Sequence, residues 1–383
     1  MSEKSSADET ELARNAKTEL AGTGEDKPRR LVRNIVIAIV AGLFMNTLFG
    51  LLLDHEQLVT SLARTQAWQI ALPFLAVVVV YIVDSLRYLL VFRQFGVRLS
   101  FGDAFYNNVL GYFISGITPS SAGGQPFQVF HFTRIGLDST TATNIVFSRL
   151  MVANLTQLAV VLLFLKNGIN LLGAAGHGIY ILGLGILTTI VFSILLFLIF
   201  AKPLILGTLA LGIERTRLGH FISLKTGDEH WAEKMSTWSL GLRDSFRYLW
   251  AGRTWAMILD LALFGLDQAI WALGLYLPLI ALTGVPLHFG GFLFAFILCG
   301  LVSAYIPTPG ASGSVETAYA LVLGGITGSP GAALSAIILW RFGSYYLHLV
   351  LGGLVYTLVP PRRGLYARAE DGLIRRISAP SSP

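Results

Sequence analysis

Ile117-Thr118-Pro119-Ser120-Ser121-Ala122-Gly123-Gly124 and Pro307-Thr308-Pro309-Gly310-Ala311-Ser312-Gly313-Ser314 are two versions of one stretch, each breaking an apolar run with proline and small residues. The likeness extends to both sides. Upstream, Gly96-Val97-Arg98-Leu99-Ser100-Phe101-Gly102 is answered by Gly284-Val285-Pro286-Leu287-His288-Phe289-Gly290. Downstream, Arg149 is answered by Arg341, and all of these offsets fall between 188 and 192 residues. A unit written twice and interrupted at the same place each time is the sequence signature of a transporter core.

Composition sets the class. Of the 383 residues, 54% are hydrophobic and 13% charged, and the mean hydropathy is +0.65, which describes a polytopic membrane protein. Cys299 is the single cysteine, which excludes an intrachain disulfide and a cysteine metal cluster. Residues 1–30 carry seven acidic and six basic side chains and few apolar ones, so they read as a disordered tail without a signal peptide.

Crossing a hydrocarbon core of ~30 Å takes ~20 apolar residues as helix. Six stretches qualify: 31–53, 68–92, 139–165, 178–200, 255–281 and 332–358. The two broken runs, 101–135 and 289–328, read as helical hairpins that enter and return. Basic residues fix their sides. Arg29, Arg30 and Arg33 place the N-terminus in the cytoplasm, and Arg93 with Arg98 mark the return after one outer loop. The segment 201–254 holds eight Lys or Arg against five acids and is also cytoplasmic. One crossing, 139–165, therefore separates the first hairpin from the outer side. The first hairpin then opens to the cytoplasm and the second to the outside, so the two copies, 68–165 and 255–358, form an inverted repeat. Residues 359–383 make a basic cytoplasmic tail. The expected fold is all-α, with about six full spans and two re-entrant hairpins. Trp231, Met235, Trp238, Leu242, Phe246 and Leu249 recur at helical spacing, either as an interfacial helix or as a stripe packed on the bundle.

Counting 1.5 Å per residue puts Arg149 and Arg341 ~15 Å inside their spans, near the bilayer centre. A charge at that depth needs a partner or a wet cavity. The guanidinium fork also suits phosphate. Two readings stand: symmetric anion contacts, or salt bridges to helix-borne carboxylates. Asp260 and Asp267 share a helix face, Asp84 and Arg87 are spaced to pair, and Glu316 falls where a helix resumes after the break. Ser120, Ser121, Gly123, Gly124, Gln125, Ser312, Gly313 and Ser314 would offer hydroxyl and backbone hydrogen bonds to a headgroup. Asp260, Asp267 and Glu316 would balance charge or carry a coupled proton. His131 and His348 lack a third ligand at metal spacing, so no metal or other cofactor is expected. The basic residues follow topology and form no nucleic-acid patch.

Thr118-Pro119-Ser120-Ser121-Ala122-Gly123-Gly124-Gln125-Pro126, followed by Gln128 and Val129, together with Pro309-Gly310-Ala311-Ser312-Gly313-Ser314-Val315-Glu316, resembles the transmembrane family of lysylphosphatidylglycerol synthase/flippase proteins over roughly residues 31–358. The second motif departs at Ala311, Ser312 and Ser314, and Gln125 stands where some members carry an acid. The resemblance implies a lipid-translocating core without the soluble aminoacyl-transferring domain. The expected protein is a flippase for a phosphate-bearing phospholipid or glycolipid. It is not an enzyme, and it sits in a bacterial cytoplasmic membrane with membrane lipids as partners, alone, as a homo-oligomer or beside a lipid-biosynthetic enzyme. Other classes are a non-transporting accessory of lipid or cell-envelope biosynthesis, a small-solute transporter, and an intramembrane serine hydrolase suggested by Gly310-Ala311-Ser312-Gly313 with His348 as base.

Overall fold

The computed structural model describes residues 55–173, 175–201, 204–226, 230–237, 239–240, 250 and 254–359, and those in regular structure are helical. The expected span at 31–53 and both tails lie outside them, as does most of the stripe beyond Trp231 and Met235. Five of the six expected spans are present: α2 (Ala67–Gln94), α5 (Ser139–Leu163), α7 (Gly178–Ala201), α10 (Thr254–Thr283), and α13 (Pro330–Arg341) continued through a π segment (Phe342–Tyr346) into α14 (Leu347–Leu358). Before α2 stands α1 (His55–Ala63). Between α5 and α7 lies α6 (Leu165–Leu172), and α7 is followed by α8 (Leu204–Glu214) and α9 (Arg217–Thr226).

The two broken runs fold as hairpins. In the first, α3 (Phe101–Ile117) is followed by α4 (Gly124–Arg134); in the second, α11 (Phe289–Ala304) is followed by α12 (Ser314–Thr327). These helices of 11 to 17 residues rise only ~17 to 26 Å, less than the bilayer core. The chain turns back because of the backbone at the motif. Ser120 and Ser121 sit at φ 51° and 55°, and Gly310 and Ala311 at 55° and 54°. In each copy the amide after that pair closes a turn, Ala122 N to Pro119 O at 3.1 Å and Ser312 N to Pro309 O at 3.1 Å. Two consecutive left-handed residues reverse the chain tightly. The flanks repeat as well, with Gly96 and Gly284 at φ 74° and 69° before the hairpins, and Gly136 and Gly328 at 114° and 64° after them. Asp138 caps α5 by accepting from Thr141 N at 2.9 Å, and Pro330 starts α13.

The hairpin tips meet. Pro119 and Pro309, which hold the same place in the two motifs, form an antiparallel bridge with each other. Equivalent residues touch each other only on a two-fold axis, so the axis relating the copies passes between them. The central pair α2 and α10 obeys the same symmetry by packing antiparallel. Near one end of the pair Gly274 lies against Pro73 and Ala76, and further along Arg87 meets Asp260.

The hairpins open at opposite ends of this pair. Leu99, Ala104, Ile135 and Leu137 cluster with Met257 at the start of α10. Leu287, Phe289 and Ile326 pack instead into the cluster of Leu279 and Leu282 at its end. The inverted arrangement that charge counting requires is thus built into the packing. Small residues let the elements close: Gly343 brings the π segment onto the backbone of Pro73, and Gly352 lies against Phe113.

Candidate functional site

With copy A taken as residues 68–165 and copy B as residues 255–358, Arg149 descends from α5 into copy A and is 8% exposed. Its Nη2 lies 2.6 Å from Asp84 Oδ1, and its guanidinium carbon 3.5 Å from the centre of the Tyr88 ring. Its Nε is buried with no hydrogen-bond partner among the described residues. Asp84 also receives Arg87 Nη1 at 2.7 Å and the Tyr112 hydroxyl at 3.1 Å. Arg87 in turn reaches Asp260 through Nε at 2.7 Å. The sequence pairs Asp84 with Arg87 alone; the fold makes Asp84 the hub of a network from four helices. Asp267, 2% exposed on the same face of α10 as Asp260, has an Oδ1 without a partner.

This network forms one wall of a cavity of about 150 Å³. Ser115, Gly124, Gln125 and Gln128 of the hairpin form the opposite wall. Gly124 is required there, because a Cβ would stand 2.0 Å from Ser115 Oγ. Buried polar atoms without partners crowd this copy, among them Asn107 Oδ1, Asn108 Oδ1, Asn144 Oδ1, Ser148 Oγ and Asn154 Nδ2. In hydrocarbon such atoms are costly unless a polar ligand or water meets them.

Copy B is built differently. Arg341 Nε donates to Glu316 Oε1 at 2.9 Å, and its Nη2 reaches Ser312 Oγ at 3.2 Å and Gly310 O at 3.4 Å. Glu316 Oε2 accepts from Gly313 N at 2.7 Å and so caps α12. The guanidinium lies 4.3 Å from the ring centre of Tyr345, whose hydroxyl reaches Gly116 O and Pro309 O at 3.4 and 3.5 Å and so touches both hairpins. Every one of these groups holds the tip together.

The expected symmetry of the two arginines therefore does not hold. The reason is one residue: copy B places the acid Glu316 in its own returning helix, whereas copy A has Pro126 at that place and its arginine turns to α2. Of the expected contact residues, Gly124, Gln125 and Arg149 line the copy A cavity. Ser120, Ser121 and Gly123 form the turn beside it, with Gly123 N donating to Thr118 Oγ1 at 3.0 Å. Ser312, Gly313 and Ser314 line a separate, mostly apolar groove of about 490 Å³ with Ile181, Val302 and Ile306. Sequence reasoning missed Tyr112 and Ser115; the pair Asn107-Asn108 within an apolar run was the available signal, since a turn of helix later comes Tyr112. No metal-ligating group of three occurs among the described residues. Nor is Ser312 joined to His348, whose Nδ1 meets the Tyr81 hydroxyl at 2.5 Å and whose Nε2 has no partner.

An inverted helical repeat with broken hairpins meeting on its axis, and a charged cavity between spans, defines a polytopic membrane protein. The chain belongs to the family of the lysylphosphatidylglycerol synthase TM region, whose model matches residues 35–352. It is similar to a UPF0104 membrane protein of Methanocaldococcus jannaschii, 21% identical over 335 residues that cover 86% of this chain and 96% of that one. A UPF0104 membrane protein of Archaeoglobus fulgidus is 25% identical over 339 residues, 85% of this chain and 95% of the relative. Family membership places the role of this protein in lipid or cell-envelope biosynthesis or transport.

Proposed function

We propose that the protein is a lipid flippase, a transporter and not an enzyme, in which the phosphate of a lipid headgroup enters the copy A cavity while the acyl chains stay in the bilayer. The observation that carries this is Arg149 Nε, a buried cationic donor without an acceptor in a polar cavity beside a broken hairpin. Phosphate oxygens supply the missing acceptors and match the guanidinium in charge and shape. Gln125, Gln128 and Ser115 supply neutral hydrogen bonds from the other wall. Asp84 keeps the arginine from holding the phosphate too tightly, which a carrier needs in order to release its cargo. Asp267 is the group that takes a coupled proton, since both oxygens of Glu316 are engaged in the tip. The termini lie on the cytoplasmic side of a cell membrane.

The test is Arg149→Gln in proteoliposomes carrying fluorescent phosphatidylglycerol, with leaflet exposure read by dithionite quenching. Asp84 retains Arg87, so the variant folds. Loss of a charge-assisted hydrogen bond, ~1.5–3 kcal/mol, slows transfer roughly 10- to 100-fold. Transfer at the native rate overturns the assignment. If the wild-type protein moves no lipid, an accessory role beside a biosynthetic enzyme takes its place.

A further inference from the structure

Copy B has its own cavity, of about 300 Å³, where the two-fold axis carries the Arg149 cavity. The first is walled by α2, α3, α4 and α5 with Phe264 of α10, the second by the counterparts α10, α11, α12 and α13 with Gln157 of α5. Its chemistry has changed completely. Trp271 lines it from α10, Val315 stands at the place of Gln125, and no charged side chain lines it.

Instead it presents rings and amides. Trp340 stands perpendicular to Trp271 with ring centres 6.3 Å apart, and Phe296 meets Trp340 at 5.6 Å and 73°. Tyr319 completes the wall, its hydroxyl spent on Phe296 O at 2.8 Å. Gln157 and Gln268, both half-buried in the lining, have side chains without a hydrogen bond to another described residue. The ring of Trp271 also stacks on Tyr112 of the charged cavity, centres 6.4 Å apart at 17°, so the two cavities are neighbours.

Uncharged aromatic faces beside two free primary amides match a sugar ring. A pyranose lays its C–H face on an aromatic ring, and its neighbouring hydroxyls, each donor and acceptor, pair with amides that are also both. Phosphate would find no cation there. A hydrocarbon chain would leave both amides unpaired.

We propose that this second cavity binds a neutral sugar, so that the lipid handled is one glycosylated on its phosphate. The proposal rests on the headgroup reading of the Arg149 cavity and adds the neutral part of that headgroup. It is tested with the full chain in detergent, titrated with phosphatidylglucose and with phosphatidylglycerol of the same acyl chains, and bound lipid counted by native mass spectrometry. The wild type binds the glucosylated lipid about tenfold more tightly, the worth of roughly one net hydrogen bond to a substrate hydroxyl. The ratio falls to near unity in Gln268→Met and in Gln157→Met, which conserve volume, and in Trp271→Leu, which removes the stacking face. Equal binding of the two lipids by the wild type, or a ratio preserved in both glutamine variants, overturns this inference alone. Binding of neither lipid overturns the headgroup reading with it.

Discussion

Two arginines at equivalent places do different work because their partners differ. Arg341 and Glu316 are 4% and 0% exposed and hold the tip of hairpin B, so removing either leaves an uncompensated buried charge, which costs about 3–5 kcal/mol. Arg341→Ala is expected to lower the melting temperature in detergent sharply, and Glu316→Ala to do the same, with the double variant less damaging than their sum. Arg149→Gln is expected to keep the fold and lose transfer, a contrast that thermal melting and a transport assay on the same preparations measure. Asp267→Asn is isosteric at an oxygen without a partner; it is expected to retain the fold and to make lipid transfer insensitive to an imposed pH gradient. Sequence alone placed both arginines at depth and named Glu316 among the candidate carboxylates, while it paired Asp84 with Arg87. It did not assign the pairs, because which acid meets which arginine depends on neighbours far along the chain: Asp84 and Arg149 are 65 positions apart.

At the scale of the element, the hairpins were legible because proline and glycine break helices by local chemistry, which needs no knowledge of packing. The π segment after Arg341 was not, since its sequence, Phe-Gly-Ser-Tyr-Tyr, reads as continuous apolar helix. Its cause is tertiary: Gly343 must meet Pro73 backbone to backbone while Tyr345 reaches between the two tips. The motif turns make a sharp prediction. Gly310→Ala puts a Cβ 2.1 Å from the Tyr345 ring, at a positive φ, and is expected to abolish folded protein by size-exclusion chromatography. Ser120→Gly relieves a left-handed strain of ~1–2 kcal/mol per residue and is expected to be tolerated or stabilising in a thermal melt.

Across the whole molecule, the meeting of the tips is the feature to probe. Residues opposite one another in an antiparallel bridge have Cα atoms ~4.5–5.5 Å apart, within disulfide range, about 4.4–6.8 Å. Pro119→Cys with Pro309→Cys, in a chain whose Cys299 is replaced by alanine, is expected to cross-link on mild oxidation. If the tips must part for a headgroup to pass, the cross-link stops lipid transfer and dithiothreitol restores it; transfer undiminished by a complete cross-link shows the tips to be fixed. The inverted order was legible in the loop charges because a count of crossings needs only sidedness. The divergence of the two cavities was not, because which side chains line each one depends on the packing of helices far apart in the chain.

One helix gives the repeat its orientation. Only 22% of the apolar window of α7 is buried, against 28 to 67% in the other spans, and Leu187, Ile190 and Ile194 face outward from it. It adds little to the core, and its importance is parity. Each copy crosses the membrane an even number of times, so a second copy joined directly to the first would begin on the same side and stand parallel to it. A single extra crossing turns it over, and α7 is that crossing; its requirement is an odd number, met by any apolar helix long enough to span.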